Sequence, residues 1–489
     1  MSRSDEFFTL GIGAPRATFG SLGSLAARLG FLRVAGPLAL PRPVRQVISR
    51  LRAHGFEAYA VGGAVRNLLL GRRPGDWDVG TSAEPIYVLS IFLEAIPTGL
   101  DHGTVTVLSE GDLPVDVTTF RSEGRYSDRR HPDTVSFGVS LREDLSRRDF
   151  TVNAMALGWD GRVVDPFGGL YDLARRVVRC VGDPGARFSE DALRMMRAVR
   201  LCVELDFHLD PATATAIGQS ADLLGHIAVE RVREEFDRCL VSVSPGRALE
   251  LLRRLGLLRH IVPELLDCVG FEQEEGQEFS VWEHTLLTVE GTPPRLDLRL
   301  AALLHDVAKP RTCSEGPERR RFEGHERVGA EMAAEILARL RYDRATTDRV
   351  VHLVRNHLAL RPPREVRDAV IRRLINRVGP EHVPDLVDLR RADCLAARSG
   401  SGSVDRATAA YLVRVERVLR RERVFTLRDL AVGGEDVMRV ARIGPGPQVG
   451  VILRRLLEEV LENPQLNEKS RLEARIREMT DPVRPRSTR

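Results

Sequence analysis

The stretch that most constrains this chain is Ala58–Thr81, AYAVGGAVRNLLLGRRPGDWDVGT. A short apolar run, Ala58 to Val61, predicts a strand. Gly62 and Gly63 follow, then a helix-like segment carrying Arg66, Leu68, Leu69 and Leu70. Gly71 and Pro74 end it, and Asp76-Trp77-Asp78-Val79 predicts a second strand. Side chains alternate across a strand, so Asp76 and Asp78 share one face while Trp77 and Val79 take the other. Two carboxylates this close repel unless a cation lies between them, and an all-oxygen pair suits Mg²⁺. Glycines ahead of a helix let the backbone approach a ligand, with helix N–H groups offered to an anion. The segment therefore joins candidate phosphate ligands, Gly62, Gly63 and Arg66, to a candidate metal pair, Asp76 and Asp78.

Further segments of the first half carry chemistry. Glu84–Ile96 reads as a helix and Thr104–Leu108 as a strand. Leu113–Thr119 predicts another strand, with Asp116 between Val115 and Val117. Asp116 is either a surface position or the third carboxylate that two-metal phosphoryl chemistry needs. Phe120–Phe137 is polar and highly charged, a solvated loop or a gate beside a site. In Arg147-Arg148-Asp149-Phe150-Thr151-Val152-Asn153-Ala154, Arg148 can hold a phosphate or base, and Asp149 and Asn153 can hydrogen-bond a ribose. Ser189–Arg200, SEDALRMMRAVR, predicts one helix with Ser189 as its N-cap. Asp191, Arg194 and Arg197 fall near one face of it, with Arg200 a further turn along. They form either a solvated salt-bridge ladder or a base reader. A carboxylate acceptor beside a guanidinium donor matches the edges of cytosine and adenine better than those of uracil and guanine.

With GGAVR, DWD, VDV, RRDFTVNA and EDALR in this order, the chain resembles the tRNA nucleotidyltransferase and poly(A) polymerase family, whose head has a polymerase-beta-like nucleotidyltransferase fold. The resemblance covers Pro43 to Asn463, and Asn67 stands where the family usually has an acidic residue. It implies Mg²⁺ held by Asp76, Asp78 and Asp116, with nucleotide at Gly62, Gly63, Arg66, Arg148, Asp149 and Asn153. It also implies base choice by Asp191 and Arg194, with Arg197 and Arg200 nearer the phosphates or the loop. The loop at Phe120–Phe137 would help the pocket change from accepting C to accepting A. The implied reaction is template-independent addition of CCA to the 3′ end of tRNA from CTP and ATP, with release of pyrophosphate. A-only addition and poly(A) synthesis are the alternatives.

A second set of residues lies downstream. Five of the twelve histidines fall between His284 and His357, around Leu303-Leu304-His305-Asp306-Val307. Adjacent His and Asp at a helix end make a metal-site arrangement. This resembles the HD phosphohydrolase superfamily, which implies His284, His305, Asp306 and Asp393 as ligands of a second divalent metal. His325 and His357 resemble the additional ligands of two-metal members, while His352 reads as a helix-face residue. The alternative of another class is therefore a metal-dependent phosphohydrolase.

The predicted fold class is α+β: a nucleotidyltransferase head with a mixed sheet and helices, then a mainly α-helical neck, HD domain and tail. The predicted divisions are a flexible extension over 1–40, the head over 41–183, the neck over 184–270, the HD domain over 271–399 and an RNA-binding tail over 400–489. A length of 489 residues accommodates several cores. A net charge of +4 excludes a uniformly basic nucleic-acid coat. Lys309 and Lys469 are the only lysines, which reflects either a GC-rich genome or a preference for bidentate phosphate contacts. Six cysteines with no C-x-x-C pair argue against a zinc ribbon or disulfide framework and fit a reducing cytoplasm. No apolar run reaches about 18 residues, so no membrane span is expected. Leu453, Leu456, Leu457, Val460 and Leu461 form an apolar stripe that reads as a core face. The basic end, RPRSTR, is either solvated charge or a contact with an RNA backbone.

Overall fold

The computed structural model describes residues 40–108, 113–124, 134–272, 279–315, 320–397 and 405–480. The expectations for residues 1–39, for 125–133 of the charged loop, for the 400–403 linker and for the terminal RPRSTR lie outside them. The chain forms two compact units that divide between Leu266 and Asp267.

In the first unit, helix α1 (Arg42–Ala53) buries Val44, Val47, Ile48 and Leu51, the stripe its period dictates. It precedes strand β1 (Ala58–Val61), α2 (Gly63–Leu69), β2 (Trp77–Thr81), α3 (Pro85–Ile91), β3 (Ala95–Gly99), β4 (Thr104–Leu108) and β5 (Pro114–Thr119). A ribbon of β6 (Arg121–Glu123) and β7 (Val135–Phe137), α4 (Leu141–Ser146), β8 (Ala156–Leu157) and β9 (Val163–Val164) complete the head. The main sheet runs β3-β4-β5-β2-β1-β8-β9. Its β2–β5 pair is parallel and its other ladders are antiparallel. Trp77, Val79, Val115 and Val117 are buried in the core. Alternation then puts Asp78 and Asp116 on the opposite face, where the register pairs them directly.

The helix expected over Glu84–Ile96 is shorter than its sequence suggests. At Phe92 the backbone turns extended (φ −112°, ψ 113°), and Ala95–Gly99 joins the sheet as its edge. Pro97 cannot donate to a ladder, and an edge strand tolerates it.

Helices α5 (Gly169–Arg175), α6 (Pro184–Glu190), α7 (Leu193–Leu205), α8 (Pro211–Ser220), α9 (Val229–Leu240) and α10 (Pro245–Arg254) follow. Helix α7 is buried on most sides and packs on α9 and α10. The single helix expected from Ser189 is in fact two. Asp183, with Pro184 at the first helical position, caps α6 by accepting from the Ala186 N–H at 2.8 Å. Ser189 lies inside that helix, donating to the Gly185 carbonyl. Asp191 is extended (φ −141°, ψ 104°), and its Oδ1 accepts from the Leu193 N–H at 3.1 Å. Such a local side-chain bond competes with the helical ladder and restarts it as α7.

The second unit is almost wholly helical: α11 (Val281–Gly291), α12 (Leu296–Leu304), α13 (Lys309–Thr312), α14 (His325–Arg339), α15 (Arg344–Asn356), α16 (Asp368–Val378) and α17 (Val383–Ala396). Helix α11 packs on α17, and α15 packs on both α12 and α14. Its last helices are α18 (Arg406–Arg421), α19 (Gly434–Ala441), α20 (Pro447–Glu462) and α21 (Lys469–Thr480). Leu456, Leu457, Val460 and Leu461 join Val437, Leu472 and Ile476 in one core, with Leu453 at its margin. All six cysteines are free thiols. No helix of the described residues is long and apolar enough to cross a membrane.

Candidate active sites

Gly62, Gly63 and Asp78 line a head cavity of about 520 Å³. Arg148, Asp149, Asn153, Asp191, Arg194 and Arg197 line it as well. Gly62 has φ +77°, and a Cβ there would lie 3.0 Å from an Arg148 guanidinium nitrogen and 3.1 Å from Asp78 Oδ2. The glycine thus meets both a left-handed backbone and a lack of space, and it lets Arg148 and Asp78 come close together.

Burial pushes the Asp78 carboxyl above its ordinary value. Arg148 pulls it back, while Asp116 and Asp76 push it up again. Asp116 is fixed by Thr106, whose hydroxyl donates to Oδ1 at 2.6 Å. Asp76 sits exposed, one residue before β2. Three mutually repelling carboxylates that lack a cation are a fit for a divalent metal bound through oxygen.

Arg148 and Arg197 line the same cavity, and the Nε of each is buried without a hydrogen-bond partner. Two guanidinium groups on the wall of one cavity suit a polyanion. Arg197 also pairs with Asp149 Oδ2 at 2.7 Å. Burial would raise the Asp149 carboxyl, but Arg197, the Asn153 amide and the Phe150 N–H together hold it below the ordinary range. Asp149 is therefore an anchored acceptor.

Two expected ligands lie elsewhere. Arg66 is buried with its guanidinium donating to Asn153 Oδ1 at 2.5 Å and to Asn67 Oδ1 at 3.0 and 3.1 Å. Burial depresses its pKa. Asn67 thus serves as the acceptor on which Arg66 rests, and Arg66 orients Asn153 from behind the cavity. Arg200 is not brought to the cavity. Its donors go to Glu235 at 2.5 Å and Glu204 at 2.8 Å.

The expected ladder along one helix face is replaced by cross-links. Arg194 is held by Glu190 at 2.6 Å and by the carbonyls of Arg187 and Arg147. Asp191, at the break between α6 and α7, is held by Arg231 at 3.1 Å. Sequence reasoning missed Arg231, which also lines the cavity. Within VERVREEF it looks like any charge on an amphipathic helix.

In the second unit, one ligand group contains His284, His305 and Asp393, and another contains Asp306, His325 and His357. His284 Nε2 lies 3.3 Å from His305 Nε2 and 3.1 Å from Asp393 Oδ1. Asp306 touches both groups. Its Oδ2 is 3.0 Å from His305 Nε2, and its Oδ1 is 3.4 Å from His325 Nε2. The Nδ1 atoms of His305, His325 and His357 each meet a backbone carbonyl, of Ala302, Phe322 and Val354, at 2.6–2.7 Å. Donation there turns each Nε2 lone pair inward. The Nε2 atoms of His325 and His357 then face each other at 3.3 Å, an arrangement that a metal ion between them would satisfy. Two atoms bound at about 2.1 Å to one ion lie about 3.0–3.4 Å apart, so the spacing fits a metal. Burial pushes His357 down to about 3, and neighbouring His305 adds to the shift, so His357 stays a neutral ligand. Asp306 is held well below its usual value: burial would raise it, but His305 and Lys309, whose Nζ is 2.6 Å away, prevail. His352 stands apart, bonded to the Val378 carbonyl at 2.7 Å.

Three family profiles match the chain. "Poly A polymerase head domain" covers residues 58–179, "Probable RNA and SrmB- binding site of polymerase A" covers 206–268, and "HD domain" covers 281–398. The CCA-adding enzyme of Geobacillus sp. (strain WCH70) is 51% identical over 221 residues, 45% of this chain and 54% of that protein. That of Geobacillus stearothermophilus is 52% identical over 211 residues, 43% and 52% of the two chains. The chain thus spans about half the length of the curated relatives it matches. The crystal structure of the Bacillus stearothermophilus CCA-adding enzyme in complex with CTP superposes with a TM-score of 0.69 and 33% identity, covering 90% of this chain and 97% of that one. This chain belongs to the CCA-adding enzyme family. The Thermotoga maritima CCA-adding enzyme complexed with tRNA, at 19% identity and a TM-score of 0.53, shares the fold over 89% and 94% of the two chains. Within the CCA-adding family, this member carries a head and an HD domain that both imply dependence on divalent metal.

Proposed function

We propose that this chain adds C and A to the 3′ end of tRNA from CTP and ATP, without a template, in the cytoplasm. The observation that carries the reading is the head cavity. It is lined by Asp78, whose strand register pairs it with Asp116, and by Arg148, Arg197, Asp191 and Arg194. Asp76, Asp78 and Asp116 would hold Mg²⁺, which when bound supplies charge neutralisation and a lowered pKa for the attacking hydroxyl. Arg148 and Arg197 bind the phosphates of the incoming nucleotide and receive the charge that builds on the departing pyrophosphate. Asp149 and Asn153, held by Arg197 and Arg66, accept and donate to the ribose. Asp191 accepts from the exocyclic amino group of cytosine or adenine, and Arg194 donates to the adjacent ring nitrogen. The 3′-hydroxyl of the tRNA attacks the α-phosphate in line, so one phosphodiester forms as pyrophosphate leaves.

The test is incubation of the purified protein with tRNA lacking its 3′ end and with CTP, ATP or both. Ordered addition of two C and one A is expected. Addition of A only, onto tRNA already ending in CC, replaces the reading with an A-adding enzyme. Long A tracts on unrelated RNA make it a poly(A) polymerase.

A second activity is supported by the two ligand groups, both approached by Asp306, at a cavity of about 650 Å³ that Lys309, Arg321 and Arg390 also line. A cationic pocket over a metal centre suits hydrolysis of phosphate mono- or diesters. Phosphate release that persists in Asp76→Ala/Asp78→Ala protein and stops in His305→Ala supports it.

A further inference from the structure

The sheet face that carries Asp78 and Asp116 also carries threonines. Alternation along β4 and β5 puts Thr104, Thr106, Asp116 and Thr118 on it together, with Thr106 opposite Asp116 and Thr104 opposite Thr118. One set of hydroxyls is spent on Asp116. Thr106 donates to Asp116 Oδ1 at 2.6 Å, so the 2.9 Å bond between Thr98 and Thr106 is donated by Thr98. Both protons are then committed. Thr104 and Thr118 differ: they meet each other at 3.0 Å, and among the described residues neither side chain bonds to anything else. Two hydroxyls joined by one bond keep one proton to give and lone pairs to receive. Both residues are half-buried and line the head cavity.

Their place in the sheet says what they face. The order β4-β5-β2-β1 leads from Thr104 and Thr118, through Asp116 and Asp78, to the strand that Gly62 and Gly63 follow. Strands about 4.8 Å apart put β4 about 14 Å from β1, with the carboxylates between. Gly62 and Gly63, with Arg148 close by, are the phosphate end of this row. In-line displacement holds the entering and leaving oxygens on opposite sides of the phosphorus, so the entering hydroxyl comes from the β4 end. Thr118 lies two residues beyond Asp116, about 7 Å along the strand, a distance that a ribose bridges. A ribose 2′-hydroxyl both donates and accepts, as this threonine pair does.

Resting on the transfer reaction proposed above, we propose that the Thr104–Thr118 hydroxyl pair holds the 2′-hydroxyl of the last tRNA nucleotide. The contact sets the neighbouring 3′-oxygen beside Asp116 and makes an RNA end a better acceptor than a DNA end. The sugar of the incoming nucleotide falls to Asp149 and Asn153, so the two sugars are read by different residues.

The test uses tRNA ending in a ribose or a 2′-deoxyribose, extended with CTP or ATP by wild-type protein, Thr104→Val/Thr118→Val and Thr118→Ser. Valine copies the shape of threonine and suits a strand, and thermal melting checks each fold. Wild-type protein should favour the ribose end about 3- to 10-fold in kcat/KM, the worth of one neutral hydrogen bond. The double valine variant should extend the two ends equally, while Thr118→Ser, which keeps the hydroxyl, retains the preference. Should the double variant melt below the assay temperature, Thr118→Val alone carries the comparison. A merely structural role would lower both ends alike and leave the preference intact, and that result overturns the proposal. Indifference of the wild-type protein to the sugar also overturns it, while leaving the transfer reaction standing. Failure to extend any tRNA end removes the transfer reading, and this inference with it.

Discussion

The head and the second unit each gather acidic residues for a metal, but they do so in opposite ways. The head trio is carboxylate only, half open, and self-repelling, with burial, and then the neighbouring carboxylates, raising the Asp78 pKa. The HD group is buried and histidine-rich, with its ring tautomers fixed by carbonyls and its carboxylates pulled down by neighbouring cations. Oxygen ligands with open positions suit a hard ion that arrives with a triphosphate and leaves with pyrophosphate. Fixed imidazoles suit an ion that stays. One protein would therefore carry a visiting metal and a resident one.

That contrast can be broken most directly at Asp78. Replacing it by Ala should lower nucleotide transfer by on the order of 10³-fold, while metal content after gel filtration and HD-site phosphate release remain unchanged. Equal loss of both activities would show that the sites are not separate. At the other centre, His305→Ala should remove tightly held metal, measured by mass spectrometry, and cost on the order of 10- to 100-fold in metal affinity or more. Transfer should stay within about twofold. Loss of Arg197 sharpens the picture further. Arg197→Ala should raise KM for all nucleotides alike, by about tenfold, because it removes a phosphate donor and frees Asp149, whereas a base-selective effect would move Arg197 to the specificity wall.

Acid gives a subtler separation. The Asp78 carboxyl sits above its ordinary value, so its charged form is lost at a higher pH than for an exposed aspartate. Transfer at limiting Mg²⁺ should fall on its acid side above the usual carboxylate range, and saturating Mg²⁺ should move that fall to lower pH. An acid limb indifferent to Mg²⁺ would assign it to another group. The smallest effect concerns stability. A group whose pKa rises on folding favours the folded state when protonated and opposes it as pH climbs through the folded pKa. At neutral pH, Asp78→Asn should therefore raise the melting temperature of metal-free protein by a degree or two, even as transfer stops.

How much of this was legible in the sequence depended on whether the chemistry was local. Gly62, Asp78 and Asp116 could be read because glycine pairs and strand alternation act over a few residues, and the register that joins Asp78 to Asp116 follows from their strands lying side by side. The His305-Asp306 doublet was legible for the same reason. The break at Asp191 was not, because the apolar period runs through it unaltered while one aspartate side chain diverts the backbone. Strand β3 hid behind Pro97, which reads as a breaker until an open sheet edge accommodates it. Arg66 and Arg200 carry the same charge as Arg148. Only the tertiary placement of Asn67, Asn153, Glu204 and Glu235 shows that the first two are already occupied. Arg231 had no local sign at all.

Asp306 presents one oxygen to each ligand group, as a yoke joins two animals. Were an ion held on each side, each would change the pull felt by the other, and the filling of the pair would not be the sum of two independent isotherms. A titration followed to full stoichiometry should bend where one ion has settled and the second has begun to feel it.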